Sequence, residues 1–439
     1  MTGNTFSIKP LKTRYILALF LLFFAVSVFY LQSLKAPWVD ECYSYYGVWH
    51  DNFSEFYDSI LTGINFSPPL YFLFNFCIQL VFPTSIEQLR IQSLVFIIIG
   101  ILLSFLLTRR IFGSTTAFIS TILVAAQSNL LLSQAQEARH YAMFFACGAW
   151  VLYMLTFYDS ATKKTLLSTF LAHFCLCQIH YLGIIFSSLV GVSLIIARRQ
   201  TPIFKRIPFS IFAVWILTLP IYLFLLSQQS SHLGNWPKPN ELSDLLAGYN
   251  DSLLILTMII PLFVLIMFNK TDRGTKSRLI EEIPCLKPIT ITSILWLSVP
   301  FIFWIISNLT SLNLFVDRYF IPKECALILL SAFGLSFILQ KLPQQKFKSI
   351  FVSSASGLSL VLILISSKRT AFGLDKDTNY HHSLIIKELH PNSDQPIILE
   401  GDPKYFPNAY LGKYKFVLGM KNSESKEIYS KFSNKIQLM

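Results

Sequence analysis

The chain has 439 residues, of which 53% are hydrophobic, 15% aromatic and only 14% charged, with a mean hydropathy of +0.54. Soluble globular domains carry about 25% charged residues, so that class is excluded. Lys and Arg number 36 against 24 Asp and Glu, a formal charge of +12. Because the apolar residues come in blocks near bilayer length, this surplus reads as a topology signal, with no nucleic-acid partner implied.

The first apolar block, 15–34, is long enough to span a bilayer, and no small-residue cleavage site follows it, so it reads as a signal anchor. The stretch 68–82 is shorter and opens with Pro68-Pro69, which predicts a juxtamembrane helix lying in the interface. Further apolar runs lie at 89–107, 115–133, 141–158, 165–197, 208–226, 252–268, 289–306, 322–340 and 349–366. The run 165–197 has basic residues at both ends and is too long for one crossing. It reads as a tight pair turning near His180-Tyr181. The predicted fold is a polytopic α-helical membrane protein of about 11 transmembrane helices.

Charge tests this parity. With the N-terminus cytoplasmic, the inner segments hold 19 Lys and Arg and the outer loops only 6, as the positive-inside rule requires. A spanning 68–82 would reverse the bias. The expected organisation is a transmembrane domain over 1–366, with a first outer loop at 35–88, and a polar region over 367–439. Strand-like runs at 396–399 and 414–418 and a helix-like start at 380–389 make that tail a small α/β appendage, extracytoplasmic by parity.

Seven cysteines are scattered without a CxxC pair. Cys175 and Cys177 would stand about 200° apart on a helix, poor metal geometry, so all seven read as packing residues or free thiols. Asp375-Lys376-Asp377 reads as tail surface, and neither GxGxxG nor a P-loop pattern is present.

The polar residues gather on one side under this topology. Asp40 and Glu41 follow the first span and are succeeded by Tyr43, Tyr45 and Tyr46; the next outer loop reads Gln136-Glu137-Ala138-Arg139-His140-Tyr141. His180 tops the short hairpin, and Asp317-Arg318-Tyr319 stands at the mouth of a late span. A carboxylate near apolar surroundings serves as a general base. Arginine at headgroup level grips phosphate in two-pronged fashion, and aromatics offer faces to sugar rings or lipid. The combination suits transfer of a group from a phosphorylated lipid.

Val39-Asp40-Glu41, the Pro-Pro-Leu-Tyr of Pro68–Tyr71, Arg109-Arg110-Ile111-Phe112-Gly113, Gln136–Tyr141, and Arg318-Tyr319 with Pro322 occur in that order. This ordered set, over about residues 15–340, resembles the GT-C integral membrane glycosyltransferases of the protein O-mannosyltransferase and aminoarabinose lipid A transferase type. The resemblance implies inverting transfer of a sugar from a polyprenyl-phosphate donor to a lipid, glycan or protein acceptor on the extracytoplasmic face. It gives Asp40 the role of base, with Glu41 the adjacent member of the catalytic pair. Arg139 and Arg318 become contacts for the donor phosphate, and Tyr319, Glu137, His140, His180 and Tyr43 further substrate-binding residues.

The sequence departs from the family at Ser67, where His or Lys is frequent before Pro-Pro, and in having no DxD near Glu137. No metal ligand is therefore assigned, and a divalent cation is the one cofactor left open. Set beside the longer eukaryotic O-mannosyltransferases with their inserted luminal domain, the resemblance implies a bacterial inner membrane, with the site facing the periplasm or outside. The alternatives are a lipid-linked glycan transporter or flippase and a polysaccharide ligase. The first would usually carry repeats and midplane charges, and the second would share the basic outer site.

Overall fold

The computed structural model describes residues 10–35, 39–48, 50, 52–61, 67–82, 85–157, 162–197, 206–229, 242–243, 245, 285–310, 315–341, 353–365, 397–400, 416–419 and 437–438. The helices are α1 (Pro10–Leu34), α2 (Val39–Val48), α3 (Phe53–Leu61), α4 (Leu70–Gln79), α5 (Ile86–Phe112), α6 (Ser114–Gln127) and α7 (Asn129–Gln134). They continue as α8 (Tyr141–Leu155), α9 (Lys163–Ile179), α10 (Gly183–Ala197), α11 (Arg206–Gln229) and α12 (Leu286–Leu309). A 3-10 turn at Asp317–Phe320 leads into α13 (Lys323–Lys341), and α14 covers Ser353–Ile365.

Four of these helices are long and apolar enough to cross a membrane, those containing Tyr15–Ser33, Ile86–Phe112, Phe209–Ser227 and Leu286–Leu309. The protein is an integral membrane protein built mostly of helices. The run 322–340 forms the 19-residue helix α13, the runs 115–133, 141–158, 165–197 and 349–366 form shorter helices, and the expected span 252–268 lies outside the described residues. The run 68–82 folds as the short helix α4. The run 115–133 breaks in two at Ser128, whose hydroxyl accepts from Leu131 N–H at 3.1 Å and so caps α7.

Local chemistry sets the other boundaries. Ser85 caps α5 by accepting from Gln88 N–H at 3.1 Å. Glu87 in the first turn and Arg109 and Arg110 in the last complement the helix dipole. Gly113, at φ +83°, then turns the chain from α5 into α6, a conformation that side chains with a Cβ rarely adopt. The α9–α10 hairpin turns at 180–182 as expected. It closes so tightly that a Cβ on Gly183 would stand 2.1 Å from the Leu176 carbonyl oxygen.

The core lies where α5, α8, α9, α10, α12 and α13 pack on one another, around the fully buried Phe144, Phe145, Phe186 and Trp296. Trp296 donates its indole N–H to the Phe186 carbonyl at 3.0 Å, which ties α12 to α10. In the tail, β1 (Ile397–Glu400), β2 (Phe416–Gly419) and β3 (Gln437–Leu438) form a parallel sheet in that order, with Ile397 opposite Phe416. The two longer strands fall on the predicted runs, whereas the helix expected at 380–389 lies outside the described residues.

Candidate active site

The first turn of α2 places Asp40 and Glu41 on different faces, and the two acids meet different partners. Glu41 is fully buried. Its Oε1 accepts from Arg90 Nε and Ala138 N–H, both at 2.8 Å, and its Oε2 accepts from Arg90 at 2.7 Å. Arg90 also donates to the carbonyls of Lys35, at 2.7 Å, and Gln32, at 3.2 Å. Gln32 in turn donates to the Arg90 and Ala135 carbonyls. This knot joins the end of α1, the start of α2, the head of α5 and the 135–140 loop. Burial opposes ionisation of Glu41, but the Arg90 charge and hydrogen bonds, with Lys35 and the Ala138 amide, outweigh it and hold the carboxyl below its usual range.

Asp40 faces the other way. Its Oδ2 lies 3.1 Å from Arg318 and 3.5 Å from Arg139. Arg139 donates to the Asp40 carbonyl at 2.8 Å, and the Ser44 hydroxyl donates to the same carbonyl at 3.2 Å. Arg318 Nε donates to the Tyr141 hydroxyl at 3.3 Å. Both guanidinium groups stand over the Tyr141 ring, at 5.6 and 5.8 Å. Side-chain exposures of 13–17% for Asp40, Arg139 and Arg318 leave an opening that Glu41 lacks. Within this cluster the Arg139 Nε is buried and has no hydrogen-bond partner among the described residues.

Behind the arginines lies a layer of rings. His140 and His180 are 5.3 Å apart between centroids, and His180 lies 4.8 Å from Tyr319 and 5.0 Å from Phe144. Ser67 sits 3.3 Å from a His140 ring nitrogen. Burial, reinforced by Arg139 and Arg318, pushes His180 down to about 3. Burial, then Arg139, His180 and Arg318, keeps His140 well below its ordinary value. Both imidazoles are therefore neutral near neutral pH. Tyr319 is pushed above the usual phenol range by burial and the nearby Tyr141.

The sequence-predicted residues thus divide. Asp40, Arg139, Arg318, Tyr319, His140 and His180 come together. Glu41 is beside them but occupied by Arg90. Glu137 pairs with Lys35 at 3.0 Å and accepts from Gln134 at 3.2 Å. The Tyr43 side chain lies outside the described residues. Asp317, which precedes Arg318, accepts through its Oδ1 from the Arg318 backbone N–H at 2.6 Å. Tyr141, Ser44, Ser67 and Arg90 join the cluster without having been assigned a place in the site; for Arg90 the signal was a lone arginine at the head of an apolar run.

Among the described residues no group of three or more His, Cys, Asp or Glu gathers as a metal site. The one central carboxylate already faces two guanidinium groups, a setting that suits an anion better than a cation. Six described cysteines, including Cys175 and Cys177, are free thiols.

No family model matches the sequence, and no curated relative does. Solved structures do. ArnT from Cupriavidus metallidurans, in a crystal structure bound to undecaprenyl phosphate, is similar with a TM-score of 0.60 at 12% identity, over 96% of this chain and 89% of that one. The oligosaccharyltransferase AglB from Archaeoglobus fulgidus, in complex with an inhibitory peptide and a dolichol-phosphate, is similar with a TM-score of 0.56 at 11% identity. That match covers 91% of this chain and 64% of AglB. Likenesses at such identity speak to architecture, and this chain shares the fold of these two proteins.

Proposed function

We propose that the chain is a glycosyltransferase that takes a sugar from a polyprenyl-phosphate-linked donor, with Asp40 as base and Arg139 and Arg318 as the phosphate clamp. The observation that carries this reading is the charge balance around Asp40. Two guanidinium groups converge on one carboxylate oxygen, Glu41 is neutralised by Arg90 and Glu137 by Lys35, and the histidines are neutral. With the solvent-exposed Asp317 set aside, the buried centre keeps one positive charge in excess, and the Arg139 Nε–H, unpartnered among the described residues, is a place for an anionic oxygen. The similar structures of ArnT and AglB hold undecaprenyl phosphate and a dolichol-phosphate, which supports the same ligand class here.

The chemistry follows from that balance. An acceptor hydroxyl or amine gives its proton to Asp40 as its oxygen or nitrogen bonds to the sugar C1, and the bond from C1 to the phosphate oxygen breaks with inversion. The phosphate passes from one negative charge to about two, so cations placed beside it bind the transition state more tightly than the ground state. Because the arginines hold Asp40 while no phosphate is present, lipid binding draws them away and frees the carboxylate for proton transfer. Glu41 acts in this reading as a positioning residue, fixing the first turn of α2 through Arg90.

We place the site on the extracytoplasmic face of a bacterial inner membrane, in a domain of about 11 crossings over 1–366 followed by the region 367–439. The test is binding of undecaprenyl phosphate to the purified full-length chain in detergent. The reading expects saturable binding that weakens at least tenfold in Arg139→Ala and in Arg318→Ala, and competition by other polyprenyl phosphates. Binding that ignores both substitutions would remove the clamp. A preference for the diphosphate over the monophosphate would favour the polysaccharide ligase.

A further inference from the structure

Helix α9 ends at Ile179 and α10 begins at Gly183, so three residues carry the chain round and bring His180 into the ring layer. The last carbonyls of a helix have no partner within it and need donors from elsewhere when buried. Here the donor comes from α11. The Tyr222 hydroxyl reaches the Cys177 carbonyl and, at 3.0 Å, the His180 carbonyl. One turn earlier on the same face, Thr218 accepts from the Gln178 side-chain amide at 3.3 Å. Tyr181 packs edge-on against Tyr222 at 4.9 Å between centroids. No residue of α11 touches Asp40, Arg139 or Arg318 through the ion pairs and hydrogen bonds described, yet α11 holds the hairpin at successive points.

Across the hairpin, His180 has extended backbone (φ −149°, ψ 141°), and its Nδ1 accepts from the Leu182 N–H at 3.1 Å. A ring nitrogen that accepts carries no proton, so in the neutral imidazole the proton is on Nε2. The turn that makes this bond is the turn whose outer carbonyls Tyr222 ties down. The ring's neutrality follows from its burial and from Arg139 and Arg318, which hold it at about 3.

From this juxtaposition we propose that Tyr222 is a positioning residue. By tying the Cys177 and His180 carbonyls it fixes the hairpin so that His180 presents a neutral Nε2–H donor beside Tyr319, Tyr141 and His140. In the glycosyltransferase reading, on which only this consequence rests, that N–H meets an oxygen of the donor molecule, on either its phosphate or its sugar. A hydroxyl has a single hydrogen, so Tyr222→Phe removes the donor from both carbonyls at once while keeping the ring that packs on Tyr181.

The test is nitrogen NMR of the full-length chain labelled with [15N]histidine in detergent micelles, with His180 assigned by the signal lost in His180→Gln. The wild type is expected to show His180 with Nδ1 unprotonated and Nε2 protonated, as one species between about pH 6 and 8. Tyr222→Phe is expected to reveal a second population protonated at Nδ1, about a tenth or more of the total. A wild-type ring protonated at Nδ1 overturns the proposal without any variant. So does a Tyr222→Phe protein with lowered thermal stability and an unchanged His180 signature, the mark of a merely structural tyrosine. If Tyr222→Phe does not fold, Thr218→Val takes its place; it should also raise the Nδ1-protonated form, and an unchanged signature there counts against the proposal. No lipid enters these measurements, so failure to bind undecaprenyl phosphate would strike the functional reading and leave the hairpin assignment standing.

Discussion

Asp40 and Arg318, 278 positions apart, meet at 3.1 Å, and the oxygen they share lies 3.5 Å from Arg139. In the proposed mechanism the carboxylate and the lipid phosphate compete for the same guanidinium groups. Asp40→Asn should therefore abolish transfer while tightening undecaprenyl phosphate binding by about tenfold, ~1.4 kcal/mol. Equilibrium binding to the purified variant checks this. A variant that binds more weakly than the wild type would mean that Asp40 helps to hold the lipid instead of competing with it.

Arg139 makes two-pronged use of a planar head, donating to the Asp40 carbonyl and facing its carboxylate. Lysine keeps the charge and loses the fork. Transfer should fall further in Arg139→Ala than in Arg139→Lys, with both proteins folded by thermal unfolding. Equal, near-wild-type rates in the two would take Arg139 out of the site.

Glu41 and Arg90 form a wholly buried pair with two parallel hydrogen bonds. Removing one partner strands the other's charge, so Glu41→Leu or Arg90→Met should each cost about 3–5 kcal/mol, whereas the two combined should recover a large part of the loss. Thermal or denaturant unfolding in one detergent measures all of these. A double variant as unstable as the sum of its single variants would deny the pairing.

His140 and His180 give stability a pH dependence of known sign. Both are held below their unfolded values, so the unfolded chain takes up protons first as pH falls. Their contribution is intact above an unfolded pKa of about 6.5. It is lost as pH drops towards about 3 for His180. Unfolding midpoints should decline between pH 7.5 and 5, and His180→Gln should flatten that slope. An equal decline in the variant would assign the effect to other groups.

The topology has a test of its own. Single cysteines at Ser133 and Thr162, in a cysteine-free background, should label with an impermeant reagent only at position 133 in intact cells. The reverse pattern would make 68–82 a crossing and overturn the outward-facing site.

Much of this arrangement was legible in the sequence because it is carried by period, charge and punctuation. Basic ends and a central His-Tyr divided 165–197 into the helices Lys163–Ile179 and Gly183–Ala197, and Pro68-Pro69 marked the short helix Leu70–Gln79. The polar groups near Asp40, Arg139, His180 and Arg318 were read as sharing one side, and they converge. What stayed hidden was partner choice. Asp40 and Glu41 look equivalent in sequence, but neighbours on a helix point about 100° apart, so one faces Arg318 and the other Arg90. Tyr222 was equally invisible, because a tyrosine inside an apolar span gives no sign of the hairpin carbonyls it will meet.

The most direct test of the central claim is comparative mass profiling of envelope proteins, lipids and polysaccharides from wild type, a deletion strain and an Asp40→Asn strain at matched protein levels. The account predicts one discrete sugar mass missing from the same acceptor class in both altered strains. A deletion strain with an unchanged profile would contradict the glycosyltransferase reading, and loss of the sugar in the deletion but not in Asp40→Asn would contradict the assignment of Asp40 as the base.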